Sequence, residues 1–283
     1  MVKIIADSTC DLSKDLVEKY GITILPLHIL LGEDEFEDGI NITPQEIFTW
    51  SDKNKSTPKT SAPSIEQAME TFEKELKEVD ELVVFSISED MSTSANVCRM
   101  AADELEVEDR VHVVNSMNLS TGIGLTVIEA AIMAKEGKTA GEIVETVNEI
   151  IPRVRASFVV DTLEYLHRGG RCSGLSAMLG AAIKLHPRIV VNDGKMSSDK
   201  KYRGKMKSVI TSYAKDLEPI LLKAKKDRVF ITHTSEDREV VESVRSYLES
   251  LNVFDEILET KAGGVISSHC GPGTLGVLFI EKN

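Results

Sequence analysis

Val2–Cys10, VKIIADSTC, opens with an apolar run that only Lys3 interrupts, and it closes on the polar corner Asp7-Ser8-Thr9. A short apolar run bounded by turn residues is the mark of a strand buried on both faces. The next residues decide the fold. A helix is predicted from about Ser13 to Tyr20, with Gly21 as its left-handed stop. Strand, polar corner, helix and next strand make up the unit of α/β layering.

The alternation continues outward from there. ITILPLHILL (22–31) predicts a second strand. Thr43-Pro44-Gln45-Glu46 is a capping box with proline at the first helical position, and Ser64-Ile65-Glu66-Gln67 repeats the signal. ELVVFSI (81–87) and RVHVVNS (110–116) read as strands, with helices over 94–105 and through 124–137. Thr139 caps a helix ending near Pro152-Arg153, and the domain boundary is placed there. Beyond it come a strand over 155–161, a helix over 162–170 and a helix over 176–185. Then come a hairpin turning at Asp193-Gly194, a long helix, the strand RVFITHT (228–234) and a helix capped by Ser235. Strands over 255–262 and 275–282 close the chain. The expected architecture is two α/β domains, 1–153 and 154–283, with a cleft between them.

The 283 residues carry 33 Lys and Arg against 46 Asp and Glu, a formal charge of -13, which argues against a nucleic-acid partner. No charged leader precedes an apolar run, so no export signal is expected, and the most apolar early segment is too short to span a bilayer. Cys10, Cys98, Cys172 and Cys270 are scattered without a CxxC pair, which fits a reduced, cytoplasmic protein.

Polar residues gather where strands give way to helices: KTSAPS (59–64), SEDMSTS (88–94) and Asp7-Ser8-Thr9. Hydroxyls beside helix starts can hold an anion, although Ser and Thr are also the commonest N-caps and any one such loop is ordinary. Near the C-terminus, SSHCGPGT (267–274) places an imidazole beside a thiol. Read as a strand, His269 and Cys270 face opposite ways and do not pair as base and nucleophile. There is no G-x-S-x-G elbow, and the six histidines show no metal spacing. The glycine-bearing TGIG and HRGGRCSG match neither a P-loop nor G-x-G-x-x-G.

Six segments in order resemble the DegV family: ADSTCDLS, KTSAPS, SISEDMSTS, VVNSMNLSTG, VDTLEYLHRGGR and SHCGPGTLG, across essentially the whole chain. The resemblance implies two α/β domains enclosing a long-chain fatty acid. It further implies a bacterial, cytoplasmic carrier, without catalytic residues, metal or cofactor of its own. Such a carrier serves a separate fatty acid kinase subunit, whose acyl phosphate product feeds phospholipid synthesis; transient membrane contact is compatible with that role. Carried over, the carboxylate-holding positions are Thr60, Ser92 and His269, with Ser61 and Thr93 as helpers. Arg171 and Arg203 are candidates for phosphate or partner contact. The second loop departs from the family's S-S-G-L-S-G-T-Y in reading Ser88-Glu89-Asp90-Met91-Ser92-Thr93-Ser94-Ala95, so both acids must face solvent if an anion binds nearby. Two other readings stay open: an acyl hydrolase using Ser92 with His269 as base, and a binding module for another carboxylate.

Overall fold

The computed structural model describes residues 1–171, 185–234 and 237–282. The first half runs β1 (Val2–Asp7), α1 (Lys14–Tyr20), β2 (Thr23–Leu25), β3 (His28–Leu31), β4 (Asp34–Glu37), α2 (Pro44–Asn54), β5 (Lys59–Ser61), α3 (Ile65–Glu75), β6 (Glu81–Ser86), α4 (Ser94–Glu104), β7 (Val111–Asn115), α5 (Thr121–Lys135) and α6 (Ala140–Ile150). The second runs β8 (Val154–Val159), α7 (Glu164–Arg168), β9 (Leu185–Asn192), β10 (Lys195–Arg203), α8 (Met206–Asp216), α9 (Glu218–Leu221), β11 (Ala224–His233), α10 (Arg238–Ser250), β12 (Glu256–Lys261), α11 (Gly264–Cys270) and β13 (Leu275–Glu281).

Among the described residues these strands form three sheets. A parallel sheet, β2-β1-β6-β7, uses strands from the first half alone. A mixed sheet, β10-β9-β8-β13-β11-β12, uses strands from the second half, and only β11 and β12 pair in parallel within it. The third, β4-β3-β5, is small and antiparallel. β1 is buried from Ile4 onward and β6 from Leu82 onward, as their apolar runs require. One face of the parallel sheet packs on α3 and α4 through Phe72, Ala68, Cys98 and Ala101. α5 lies between the two large sheets, touching β1 and β6 on one side and β8 and β13 on the other. It is buried from Thr121 to Ile128. A helix sandwiched in this way must be apolar all round, which explains its sequence.

ITILPLHILL is not one strand. Pro26, which has no backbone N–H to donate, separates β2 from β3, and the two join different sheets. The small sheet, including β4 and β5, was not expected from sequence. The long helix after the hairpin ends at Asp216, and Pro219 stands in the first turn of the short α9. His269 and Cys270 lie on the helix α11, not on a strand. Ser235 and the helix expected over 176–185 lie outside the described residues, except Leu185, which opens β9. The N-cap of α10 is Asp237, which accepts from the N–H groups of Glu239 and Val240 at 3.0 and 3.4 Å. The turn at Asp193-Gly194 forms as predicted, with positive φ of 48° and 80°.

Candidate functional site

A cavity of about 470 Å³ lies where the small sheet, the loop after β6, α11 and the corner after α7 meet. The register of the small sheet sets Thr60 opposite Ile29. Ile29 and Ile47 pack with Val265 of α11 in one apolar cluster, so the strand carrying Thr60 is pressed against the helix carrying His269. The result is a hydrogen bond between Thr60 Oγ1 and His269 Nε2 of 2.8 Å.

His269 is half-buried and lines the cavity, with Nδ1 sealed inside and unpartnered. Its ring backs directly onto Gly169, where an added Cβ would stand 2.2 Å from Nδ1. Gly169 has an ordinary φ of -74°, so glycine is required there for space and not for conformation. Burial, reinforced by the nearby Arg171 guanidinium, lowers the imidazole pKa to about 4. The ring is therefore neutral at neutral pH, and the charge assistance that a protonated His269 would bring is absent. A proton on Nδ1 would be a buried N–H without an acceptor, so it belongs on Nε2, donated to Thr60. Thr60 keeps its own hydroxyl proton to donate.

The second loop is built around its hydroxyls. Ser92 Oγ lies 2.8 Å from Ser94 Oγ and accepts from the Ser94 N–H at 3.3 Å. Ser88 Oγ donates to the carbonyl of Gly194 at the hairpin tip, at 2.8 Å. Arg171 grips the Met91 carbonyl through Nε and Nη2 at 3.3 and 3.2 Å, and the Gly169 carbonyl through Nη1 at 2.7 Å. It thereby ties the serine loop to the glycine behind His269. Glu89 and Asp90 line the mouth but are exposed and paired, with Arg99 at 2.6 Å and Lys195 at 3.6 Å respectively.

Thr60, Ser61, Ser92, Thr93, Arg171 and His269 thus share one cavity, and Arg203, at the end of β10, does not line it. Ser92 is not bonded to His269; each has another partner. Leu27, Ile87, Leu119, Leu166 and Ile266 make much of the remaining wall apolar. Among the described residues no group of His, Cys, Asp and Glu could hold a metal ion, and no helix is long and apolar enough to cross a membrane.

The family model described as "Uncharacterised protein, DegV family" matches residues 1–282. The chain belongs to the DegV family. A DegV domain-containing protein of Caldanaerobacter subterraneus is 32% identical over 283 residues, covering 99% of both chains. A protein of Thermotoga maritima named as a fatty acid-binding protein is 31% identical, covering 97% of this chain and 96% of its own. Among solved structures, a DegV family protein from Thermus thermophilus, described in terms of fatty acid binding, superposes with a TM-score of 0.91 at 29% identity, covering 99% of both chains.

The DegV-like opening, ADSTCDLS, does not line the cavity, and its hydroxyls have other partners. Ser8 Oγ donates to Asp38 at 2.8 Å and accepts from the Leu27 N–H at 3.1 Å, while the Thr9 hydroxyl donates to Asp7. Asp7 accepts the Ile87 N–H at 2.8 Å, just where the serine loop leaves β6. Burial pushes its pKa up to about 6. Cys270 is a buried neighbour of His269 whose thiol is pushed up to about 12, again by burial, which removes it as a nucleophile. Sequence reasoning missed Gly169, Asp11 and Asp38. The first two stand within the quoted segments, but nothing near Asp38 marks it.

Proposed function

We propose that the protein binds a long-chain fatty acid, its tail along the apolar wall and its carboxylate at Thr60, Ser92 and His269, the two hydroxyls donating and the imidazole orienting Thr60, with Ser61 and Thr93 beside them. The observation that carries this reading is the Thr60–His269 hydrogen bond inside a largely apolar cavity of about 470 Å³. A buried carboxylate needs donors to offset its desolvation. The Thr60 and Ser92 hydroxyls supply them, and the neutral His269 acts by orienting Thr60. The fatty acid-binding relatives support the same reading.

In this account the 1–153 and 154–283 units enclose the ligand, and the protein is a carrier that presents the carboxylate to a separate kinase subunit. A carboxylate oxygen then bonds the γ-phosphorus of ATP held by that subunit, and ADP leaves, giving an acyl phosphate for phospholipid synthesis. Arg171 remains the candidate for contact with the added phosphate, and Arg203 is kept for partner contact. The hydrolase reading is disfavoured because Ser92 has no hydrogen bond to His269. A carrier for a short or polar carboxylate is disfavoured by the apolar wall.

Solvent extraction of the purified protein followed by mass spectrometry tests the proposal. A long-chain fatty acid near one equivalent per chain is expected. No acyl chain in the extract, together with no uptake of added oleate, overturns it.

A further inference from the structure

α11 is a seven-residue helix whose N-terminal groups are held by two carboxylates far away in sequence. Asp11 Oδ1 accepts the Gly263 N–H at 2.8 Å, and its Oδ2 accepts the Ser120 hydroxyl at 2.5 Å. Asp38 Oδ1 accepts the Gly264 N–H at 2.7 Å, the Val265 N–H also bonds to Asp38, and Asp38 Oδ2 accepts the Ser8 hydroxyl. The first free N–H groups of the helix are thus taken up by carboxyl oxygens, and burial raises the pKa of both acids, Asp11 well above the usual carboxylate range. Both carboxylates are buried, Asp38 at 2% and Asp11 at 6% exposure, at a cost that a merely decorative contact would not carry. The seat is close. A Cβ on Gly264 would come within 2.6 Å of Ile29 Cδ1 and 3.0 Å of Asp38 Oδ1. At the far end of the same helix stands His269, less than two turns away.

We infer that Asp11 and Asp38 are positioning residues for the ligand site: by gripping the start of α11 they set the place of the His269 ring against Thr60, without touching the ligand. This deepens the fatty-acid reading and rests on it for its affinity test. It also gives the ADSTCDLS segment, no residue of which lines the cavity, a role at the site. Ser8 and Ser120 orient the two carboxylates, and the carboxylates orient the helix.

The test measures oleate affinity for the full chain, Asp38→Ala, Asp38→Asn, His269→Ala and the Asp38→Ala/His269→Ala double variant, with the ¹⁵N signals of the His269 ring recorded for each chain that retains it. Asp38→Ala is expected to weaken oleate binding about tenfold and to move the ring signals, and Asp38→Asn, which keeps an accepting oxygen, to restore most of both. In the His269→Ala background, Asp38→Ala should add less than about twofold, because its effect travels through the imidazole. A full, additive loss in that background overturns the inference, as does an unchanged affinity and ring signal in Asp38→Ala. Should Asp38→Ala fail to fold, Ser8→Ala carries the same test with a smaller expected shift, and an unmoved ring signal counts against the inference. If the unaltered protein takes up no oleate, the fatty-acid reading fails on its own, and the ring signals still decide whether Asp38 positions His269.

Discussion

The neutral state of His269 has a consequence for stability. Its pKa of about 4 in the fold lies below the ordinary value of 6.5, so the unfolded chain takes up the proton first as pH falls. The stability it contributes is fully present above pH 6.5 and is lost as pH falls through 4, by about 3 kcal/mol. Asp7 acts in the opposite sense. With its pKa raised from 3.8 to about 6, its contribution is full below pH 3.8 and is lost as pH rises through 6. Because the two windows overlap, the effect of His269 has to be isolated by difference. Between pH 7 and pH 4.5, urea midpoints of the unaltered protein and His269→Gln should diverge, with the variant losing less stability on acidification. Equal losses would show that the imidazole is not held neutral. At this scale the sequence revealed the residue types and little of their state. His269 stood out beside Gly271-Pro272-Gly273, but neither its tautomer nor its backing by Gly169 could be read, since the first comes from a contact across 209 residues and the second from one between distant segments as well.

Among the elements, the β9–β10 hairpin joins the second half of the chain to the serine loop. Its tip carbonyl accepts from Ser88, Lys195 pairs with Asp90, and Met196 lines the cavity. Gly194 has a φ of 80°, and a Cβ there would stand 2.7 Å from Ser88 Oγ. Gly194→Val is therefore expected to destabilise the protein by about 1–3 kcal/mol and to speed release of bound fatty acid, because it strains the turn and displaces Ser88 together. Stopped-flow release into albumin measures the second effect, and an unchanged release rate would remove the hairpin from any role in closing the site. The turn itself was legible, because Asp-Gly specifies it locally. So were the capping boxes at Thr43 and Thr139, which form as reciprocal pairs. Ser64 caps α3, but Gln67 turns away to bond Glu37 and His28. That choice depends on the small sheet, which local signals did not announce. α11 was missed for a related reason: seven residues rich in Gly, Ser and β-branched side chains have little helix propensity, and the helix stands on Asp11 and Asp38.

For the whole molecule, the strand–helix alternation was enough to recognise α/β layering, and six ordered segments were enough to suggest the family. The site was only partly legible, because it is assembled by packing between halves: Thr60 from a small sheet, Ser92 from a loop after β6, and His269 from a helix 209 residues beyond Thr60. In the proposed complex the tail supplies most of the gross affinity, at about 0.8 kcal/mol per buried methylene, and the polar end sets orientation. Loss of overall binding is therefore a blunt measure of the head-group contacts. The sharper measurement is the carboxyl ¹³C resonance of 1-¹³C-palmitate bound to the unaltered protein and to Thr60→Val. One bound resonance is expected, displaced from that of the free acid and moved again by Thr60→Val while palmitate stays bound. An identical bound resonance in the two proteins would rule out Thr60 as a partner of the carboxylate.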